Sequence, residues 1–120
     1  MGNFDEFIER VKDKSRAPSG GYTDFGRTKV YKRDALIGWL CECAKDAKYD
    51  MRRIDEDPKK KKELILAIGV AIDLISGGPI LTDIGEYLIG QLITDAAHEY
   101  MQSHPSILEG AGHLLRKLLS

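Results

Sequence analysis

Residues 57–102 read DPKKKKELILAIGVAIDLISGGPILTDIGEYLIGQLITDAAHEYMQ, and this stretch decides the fold. Asp57 followed by Pro58 is typical of a helix start, because the carboxylate accepts free backbone N–H groups and proline presets φ for the first helical position. The Gly-Gly-Pro sequence at 77–79 predicts a helix end, because glycine adopts the left-handed conformation there and proline cannot continue a helix. The stretch therefore predicts a helical hairpin with a tight corner.

The first helix of this hairpin is apolar from Leu64 to Ile75, except at Gly69 and Asp73. A helix without a polar side is typical of one that other elements surround. It is too short to span a bilayer, which takes about 20 residues. We therefore expect it to be the most buried element of the core, with a subunit interface or membrane insertion as alternatives.

The second helix of the hairpin is expected to begin at Pro79. Asp83 and Glu86 would lie in its first turn, where negative charge is favourable. Its apolar residues recur at helical spacing at Ile80, Ile84, Leu88, Leu92 and Ala96. This stripe is widened by Leu81, Tyr87, Ile89, Ile93 and Tyr100.

Three further helices are expected, over residues 3–14, 32–54 and 106–119. The first and the last begin with the spacing of a capping box, Asn3 with Glu6 and Ser106 with Glu109. The first helix would bury Phe4, Phe7, Ile8 and Val11. The helix over 32–54 would bury Leu36, Trp39, Leu40, Cys43, Ala47, Met51 and Ile54.

The connection over residues 15–31 has no helical periodicity and predicts a long loop or a small β-hairpin in which Thr28–Tyr31 pairs back on Tyr22. The fold class expected is all-α, a five-helix bundle with a central apolar helical hairpin. A chain of 120 residues is expected to form one domain. Residues 1–31 would supply the first helix and the long loop, and residues 32–120 the helical core.

The charge is unevenly distributed along the chain. The overall composition, 42% hydrophobic and 31% charged, is ordinary for a globular protein and argues against disorder or a membrane class. Residues 1–62 hold 16 Lys and Arg against 12 Asp and Glu, whereas residues 63–120 hold 2 against 7. This division favours an anionic partner for the first half, or pairing of the first half of one subunit with the second half of another.

The two cysteines predict a reduced, cytoplasmic protein. Cys41 and Cys43 lie two residues apart in a predicted helix, where their side chains point in different directions and cannot easily bridge each other. Free thiols are typical of intracellular proteins. The N-terminus has no apolar run, so we expect no signal peptide, and no transmembrane segment is predicted.

A segment rich in cations and aromatic rings is the first candidate site. Cations neutralise phosphates and rings such as Tyr22, Phe25 and Tyr31 can stack on bases, so the composition fits nucleic-acid binding. The simpler interpretation is a solvated charged surface, since Asp24 and Asp34 interrupt the cations. The candidate nucleic-acid-binding residues are Arg27, Lys29, Lys32, Arg33, Lys59, Lys60, Lys61 and Lys62.

Evidence for enzymatic or metal chemistry is sparse. Asp95, His98 and Glu99 have the one-face helical spacing of metal ligands, but no second cluster accompanies them. Cys41-Glu42-Cys43 lacks the two-residue gap of zinc sites. No phosphate-binding glycine loop or nucleophile motif is present, so we predict no catalytic residue, no metal and no cofactor, with a small helical-bundle enzyme or metal-binding protein as an alternative.

One run of residues resembles a known family. The run over residues 77–82, a long helix, and His104-Pro105-Ser106-Ile107-Leu108-Glu109 are similar to the C-terminal helical part of coat proteins of rod-shaped and filamentous archaeal viruses. That resemblance implies a structural protein that wraps double-stranded DNA. The balanced net charge and the two cysteines depart from the basic coat proteins of that family.

The function expected from these features is a non-enzymatic helical module for binding or assembly that self-associates or binds another protein. The helices supply more apolar surface than a monomer of this length is expected to cover, and soluble monomers avoid large exposed patches. The alternative is a nucleic-acid-binding structural protein. The candidate interface residues are Leu108, Leu114, Leu115, Leu118 and Leu119.

Overall fold

The computed structural model describes residues 3–104. Its helices and strands are, in chain order, α1 (Asn3–Lys12), a 3₁₀-helix (Lys14–Arg16), β1 (Tyr22–Asp24), β2 (Lys29–Tyr31), α2 (Arg33–Asp46), a second 3₁₀-helix (Met51–Glu56), α3 (Pro58–Ile75) and α4 (Asp83–Ser103). The predicted all-α class and the small antiparallel β-hairpin after the first helix are confirmed. The predicted helix over 106–119 lies outside the described residues.

The described helices form two layers. α3 and α4 pack together in the most extensive helix contact, α1 packs on α3, α2 packs on α4, and α1 and α2 contact each other. The α1–α2 layer therefore covers one side of the α3–α4 hairpin. The largest fully buried side chains in the core between these elements are Phe7, Leu40, Met51, Ile54, Leu64, Ile68, Ile93 and Met101.

Two glycines allow the backbones of α3 and α4 to touch. A Cβ atom added at Gly69 would lie 2.0 Å from the carbonyl oxygen of Glu86. A Cβ atom at Gly90 would lie 2.0 Å from the carbonyl oxygen of Ile65. These two contacts fix an antiparallel hairpin in which only glycine fits at both positions.

The corner between α3 and α4 is held by the buried carboxylate of Asp73. Asp73 Oδ1 accepts hydrogen bonds from the backbone N–H groups of Ile80 (2.8 Å) and Leu81 (3.1 Å). α3 ends near Ser76, as predicted, and Gly77 has φ of 107°. The single acid in the apolar run thus satisfies backbone donors that the turn leaves free.

The start of α4 differs from the prediction. Pro79 lies in the turn, and Thr82 is the N-cap, its hydroxyl accepting from the N–H of Gly85 (3.1 Å). The helix begins at Asp83, after Thr82 in an extended conformation, and the N–H groups of Ile80 and Leu81 in the preceding turn bond to Asp73.

The predicted helix over 32–54 is also wrong as one continuous element. α2 ends where Lys48 adopts a left-handed conformation, with φ of 58°. The N–H of Tyr49 bonds to the Ala44 oxygen (2.9 Å) and the N–H of Lys48 to the Lys45 oxygen (3.0 Å). This pair of bonds is the Schellman arrangement that ends a helix. The seven residues predicted to be buried are nevertheless all buried.

The first helix matches the prediction in its core residues but not in its cap. Phe4, Phe7, Ile8 and Val11 are buried. The two side chains of the predicted capping box have other partners. The amide of Asn3 donates to the Lys48 oxygen (3.1 Å), and the Glu6 carboxylate pairs with Arg10.

The wide apolar stripe predicted on α4 is divided between the core, where Ile93 is buried, and the surface. Ala96 is buried, but Ile80, Ile84, Leu88 and Leu92 are exposed. α3 likewise is not enclosed, because its apolar residues Leu66, Val70 and Leu74 are exposed. The reason is the two-layer packing: the described elements cover only the side of the hairpin that faces α1 and α2.

Candidate interaction surfaces

The outer side of α3 carries three apolar side chains at four-residue intervals. Leu66, Val70 and Leu74 are 44%, 48% and 45% exposed. With Lys12 and Glu63 they line an open groove of about 510 Å³. The four-residue spacing places them along one side of the helix.

The outer side of α4 repeats this pattern. Ile84, Leu88 and Leu92 are 75%, 59% and 59% exposed, again at four-residue intervals. Ile80, in the turn before α4, is also exposed. Asp95 and Glu99 are the exposed acids that follow the stripe toward the end of the helix.

The exposed apolar side chains of α3, α4 and the turn between them form the outer apolar surface. A monomeric soluble protein seldom exposes a large contiguous apolar patch unless the patch binds something. The sequence predicted apolar side chains here and placed those of α3 in the core, so it did not identify Leu66, Val70 and Leu74 as surface residues. The outer apolar surface consists of Leu66, Val70, Leu74, Ile80, Ile84, Leu88 and Leu92.

The predicted interface leucines lie outside the described residues. They are Leu108, Leu114, Leu115, Leu118 and Leu119. Their role in association stays a prediction.

The β-hairpin brings four of the predicted nucleic-acid-binding residues into one short region. Arg27, Lys32 and Arg33 are exposed, and Lys29 is half-buried. The Lys29 ammonium lies 4.9 Å from the centre of the Tyr22 ring, which is a cation–π distance. The Tyr22 ring packs on Tyr31 at 5.2 Å, so these rings are partly occupied by each other.

The hairpin is attached to the corner of the α3–α4 hairpin. The N–H of Lys29 donates to the Ser76 oxygen (3.0 Å). A Cβ atom at Gly77 would lie 2.1 Å from the Arg27 oxygen, so the strand connection and the corner are in close backbone contact. Phe25, at the tip, is 65% exposed.

The lysine run at residues 59–62 lies at the opposite end of α3 from this hairpin. Ser76 is 15 positions after Lys61, a separation of about 22 Å along a helix. Lys61 bonds Asp55 (2.7 Å) and contacts Asp95 (3.3 Å), and the hydrogen bond to Asp55 is the main reason that the pKa of Lys61 is raised. Lys60 lies 5.5 Å from the Phe4 ring. The predicted basic residues therefore form two separate groups.

Two of the three candidate metal ligands on α4, Asp95 and His98, contact other groups. Asp95 contacts Lys61, and Nε2 of His98 lies 3.3 Å from the Arg52 oxygen and 3.6 Å from Asp55 Oδ2. Among residues 3–104, no three His, Cys, Asp or Glu side chains are grouped closely enough to hold a metal ion.

Both cysteines are buried and unbridged. Burial raises the pKa of the Cys41 thiol to about 11. Burial also raises the pKa of Cys43, although a hydrogen bond from Arg16 acts in the opposite direction. At neutral pH both side chains are therefore protonated and poorly nucleophilic.

Across residues 3–104, no helix is both long enough and apolar enough to cross a lipid bilayer. Comparison with protein-family models, with curated proteins and with solved structures gave no match. The surfaces described above are therefore the basis for assigning a function.

Proposed function

We propose that this chain is a helical assembly module that associates with further copies of itself through the outer apolar surface. The supporting observation is the exposure of apolar side chains on two adjacent antiparallel helices. Covering Leu88 and its neighbours would remove apolar area from water at about 25 cal/mol per Å². Among residues 3–104, no element covers that area.

Two further features are consistent with this proposal. The C-terminal leucines predicted from the sequence would add apolar surface to the same assembly. The buried, unbridged Cys41 and Cys43 support a cytoplasmic location, since reduced thiols are typical there.

Mass in solution tests the proposal. Sedimentation equilibrium from low to high micromolar concentration should give masses above the 13.4 kDa of one chain. The variant carrying Val70→Glu and Leu88→Glu should return to one chain, because both apolar faces would then place a charge in the contact. Lys45→Gln, an exposed change on α2, is the control and should leave the mass unaltered. A monomer at the highest concentration rejects the proposal.

Nucleic-acid binding is the second candidate function, and the grouping of cations on the β-hairpin favours it. Arg27, Lys32 and Arg33 are exposed beside Lys29 and the Tyr22 ring. Exposed cations can contact phosphates, and such contacts position a protein without reading the base sequence.

Salt-dependent retention on DNA or RNA tests this candidate. Replacing Arg27, Lys29, Lys32 and Arg33 together with Ala should weaken binding evenly across sequences and flatten its salt dependence. Replacing Lys59, Lys60 and Lys62 with Ala tests whether the lysines at the other end of α3 contribute to nucleic-acid binding. No binding by the parent protein at low salt would end this candidate.

A further inference from the structure

The exposed side of α3 changes character along its length. Lys59 and Lys62 are exposed at its beginning, and Leu66, Val70 and Leu74 follow toward its end. Read from the start of the helix, this face is basic and then apolar. Glu63 is the one exposed acid within it.

The exposed side of α4 has the reverse order. Ile84, Leu88 and Leu92 come first, and the exposed acids Asp95 and Glu99 follow. α4 contains no Lys or Arg between Asp83 and Ser103. This face is apolar and then acidic.

These two faces are complementary when the helices run antiparallel. The same four-residue spacing on both helices, about 6 Å of rise, would pair Leu66 with Leu92, Val70 with Leu88, and Leu74 with Ile84. Continuing that register brings Lys59 opposite Glu99. Glu63 would lie opposite Asp95. The repulsion between these two carboxylates can be offset by Lys62, which is adjacent to Glu63 in sequence.

We propose that α4 of one copy packs antiparallel on the outer face of α3 of a second copy. This inference rests on the proposed self-association and specifies how it is arranged. The chain already contains an example of the same pairing, since its own α3 and α4 run antiparallel with Lys61 3.3 Å from Asp95.

The charges disfavour the symmetric alternatives. Two α4 helices paired antiparallel would bring Asp95 of each copy near Asp83 of the other, and α4 offers no Lys or Arg to offset the repulsion. Two α3 helices paired antiparallel about Val70 would place Lys59 and Lys62 beyond the end of the partner helix at Ile75, with no acid of α3 opposite them. Only the α3–α4 arrangement joins apolar to apolar and base to acid.

Each copy has one α3 face and one α4 face to offer. A two-fold dimer would use both pairs at once, whereas a contact that uses one pair is heterologous. Such contacts close into a ring or continue as a filament, according to the rotation between neighbours. A two-copy assembly joined by a single heterologous contact would leave one face of each kind uncovered.

Mixing two blocked variants tests this arrangement. Val70→Glu blocks the α3 face and Leu88→Glu blocks the α4 face, and each should weaken association by about a hundredfold. Each variant alone should therefore be monomeric. An equimolar mixture should form dimers and nothing larger, because one free α4 face meets one free α3 face.

The outcomes separate this inference from the proposed function. Dimers of either variant alone, or a mixture that stays monomeric, would overturn the arrangement while the parent protein still assembles. If both variants assemble like the parent and Leu115→Glu with Leu118→Glu dissociates it, the C-terminal segment makes the contact instead. A monomeric parent protein overturns both proposals.

Charge reversal gives a second readout that leaves the apolar residues intact. Lys59→Glu and Glu99→Lys should each weaken association by about two- to fivefold, the range for an exposed ion pair. Both changes in one chain should restore the strength of association, because the acid and the base then exchange places across the contact and still attract each other. Failure of the combined variant to recover would contradict the proposed register. Far-UV circular dichroism of each variant checks that the helices remain.

Discussion

Two glycines set the distance between α3 and α4. Gly69 and Gly90 each face a backbone carbonyl of the other helix at a separation that leaves no room for a methyl group. Gly38, in α2, has open space where a Cβ would lie. The same substitution should therefore have opposite effects at these sites.

Gly69→Ala should destabilise the protein by about 1–3 kcal/mol, because the added carbon forces the helices apart. Gly38→Ala should stabilise it by up to about 1 kcal/mol, since alanine is the better helix former. Urea denaturation of both variants measures the difference. Equal stabilities would show that the helices do not approach closely at residue 69.

The buried thiols should react slowly in the folded protein. A thiol with a pKa of about 11, as at Cys41, carries very little thiolate at about pH 8. A disulfide reagent such as DTNB should label neither cysteine quickly until guanidinium unfolds the chain. Raising the pH toward 11 should increase the rate for Cys41 as its thiolate forms. Rapid, stoichiometric labelling of the native protein near neutral pH would contradict this burial.

At the scale of elements, α2 ends at a lysine in a conformation that glycine favours. Lys48 has φ of 58° and occupies the position after the C-cap Ala47. A β-carbon costs roughly 1–2 kcal/mol in this region. The end of this helix therefore contains strain that one substitution can remove.

Lys48→Gly should raise stability by up to about 1 kcal/mol, less than the relieved strain because glycine also increases the entropy of the unfolded chain. Lys45→Gly, within α2, is the matched control and should cost about 1 kcal/mol. Thermal melts of both variants show whether each substitution raises or lowers the stability. Destabilisation by Lys48→Gly as large as that by Lys45→Gly would place residue 48 inside a continuous helix.

Local signals predicted some element boundaries and not others. Asp57 and Pro58 gave the start of α3 because capping and proline act within one turn. The break at Lys48 has no Gly or Pro, and the Schellman bonds that form it are seen only in the folded backbone. The start of α4 at Asp83 follows a turn in which the N–H groups of Ile80 and Leu81 bond to Asp73 of α3, a contact that local sequence signals do not reveal.

At the scale of the whole molecule, Trp39 reports the packing of the core. It is buried in α2, and its indole Nε1 has no hydrogen-bond partner among residues 3–104. Its neighbours around a surface cleft include Arg16, Pro18 and Gly20, so the connection after α1 covers it. The indole therefore contributes through apolar contact.

Trp39→Ala should cost about 3–5 kcal/mol, the range for removing a large buried ring. Trp39→Phe should cost clearly less, because it keeps an aromatic ring and loses no hydrogen bond. Denaturant unfolding followed by circular dichroism measures both. In the parent protein, tryptophan emission should be blue-shifted and resistant to iodide, and a red, easily quenched emission would contradict the burial.

Periodicity located the apolar side chains but could not decide which of them lie inside. On α4 the residues at 84, 88 and 92 follow the helical repeat as well as the buried Ile93 and Ala97 do. The deciding feature is the contact at Gly69 and Gly90, which turns each helix about its axis. The α1–α2 layer then covers one side of the α3–α4 hairpin and leaves the other side open. Both the rotation of the helices and the position of the covering layer depend on tertiary packing.

The open side of the two-layer fold links the stability of each copy to the number of copies present. If the outer apolar surface is covered only on association, folding and assembly share one free energy, and mass action raises the unfolding temperature as the protein becomes more concentrated. The parent protein should then melt at a higher temperature with every increase in concentration. The Val70→Glu variant should melt at the same temperature at every protein concentration, because a monomer gains no stability from association.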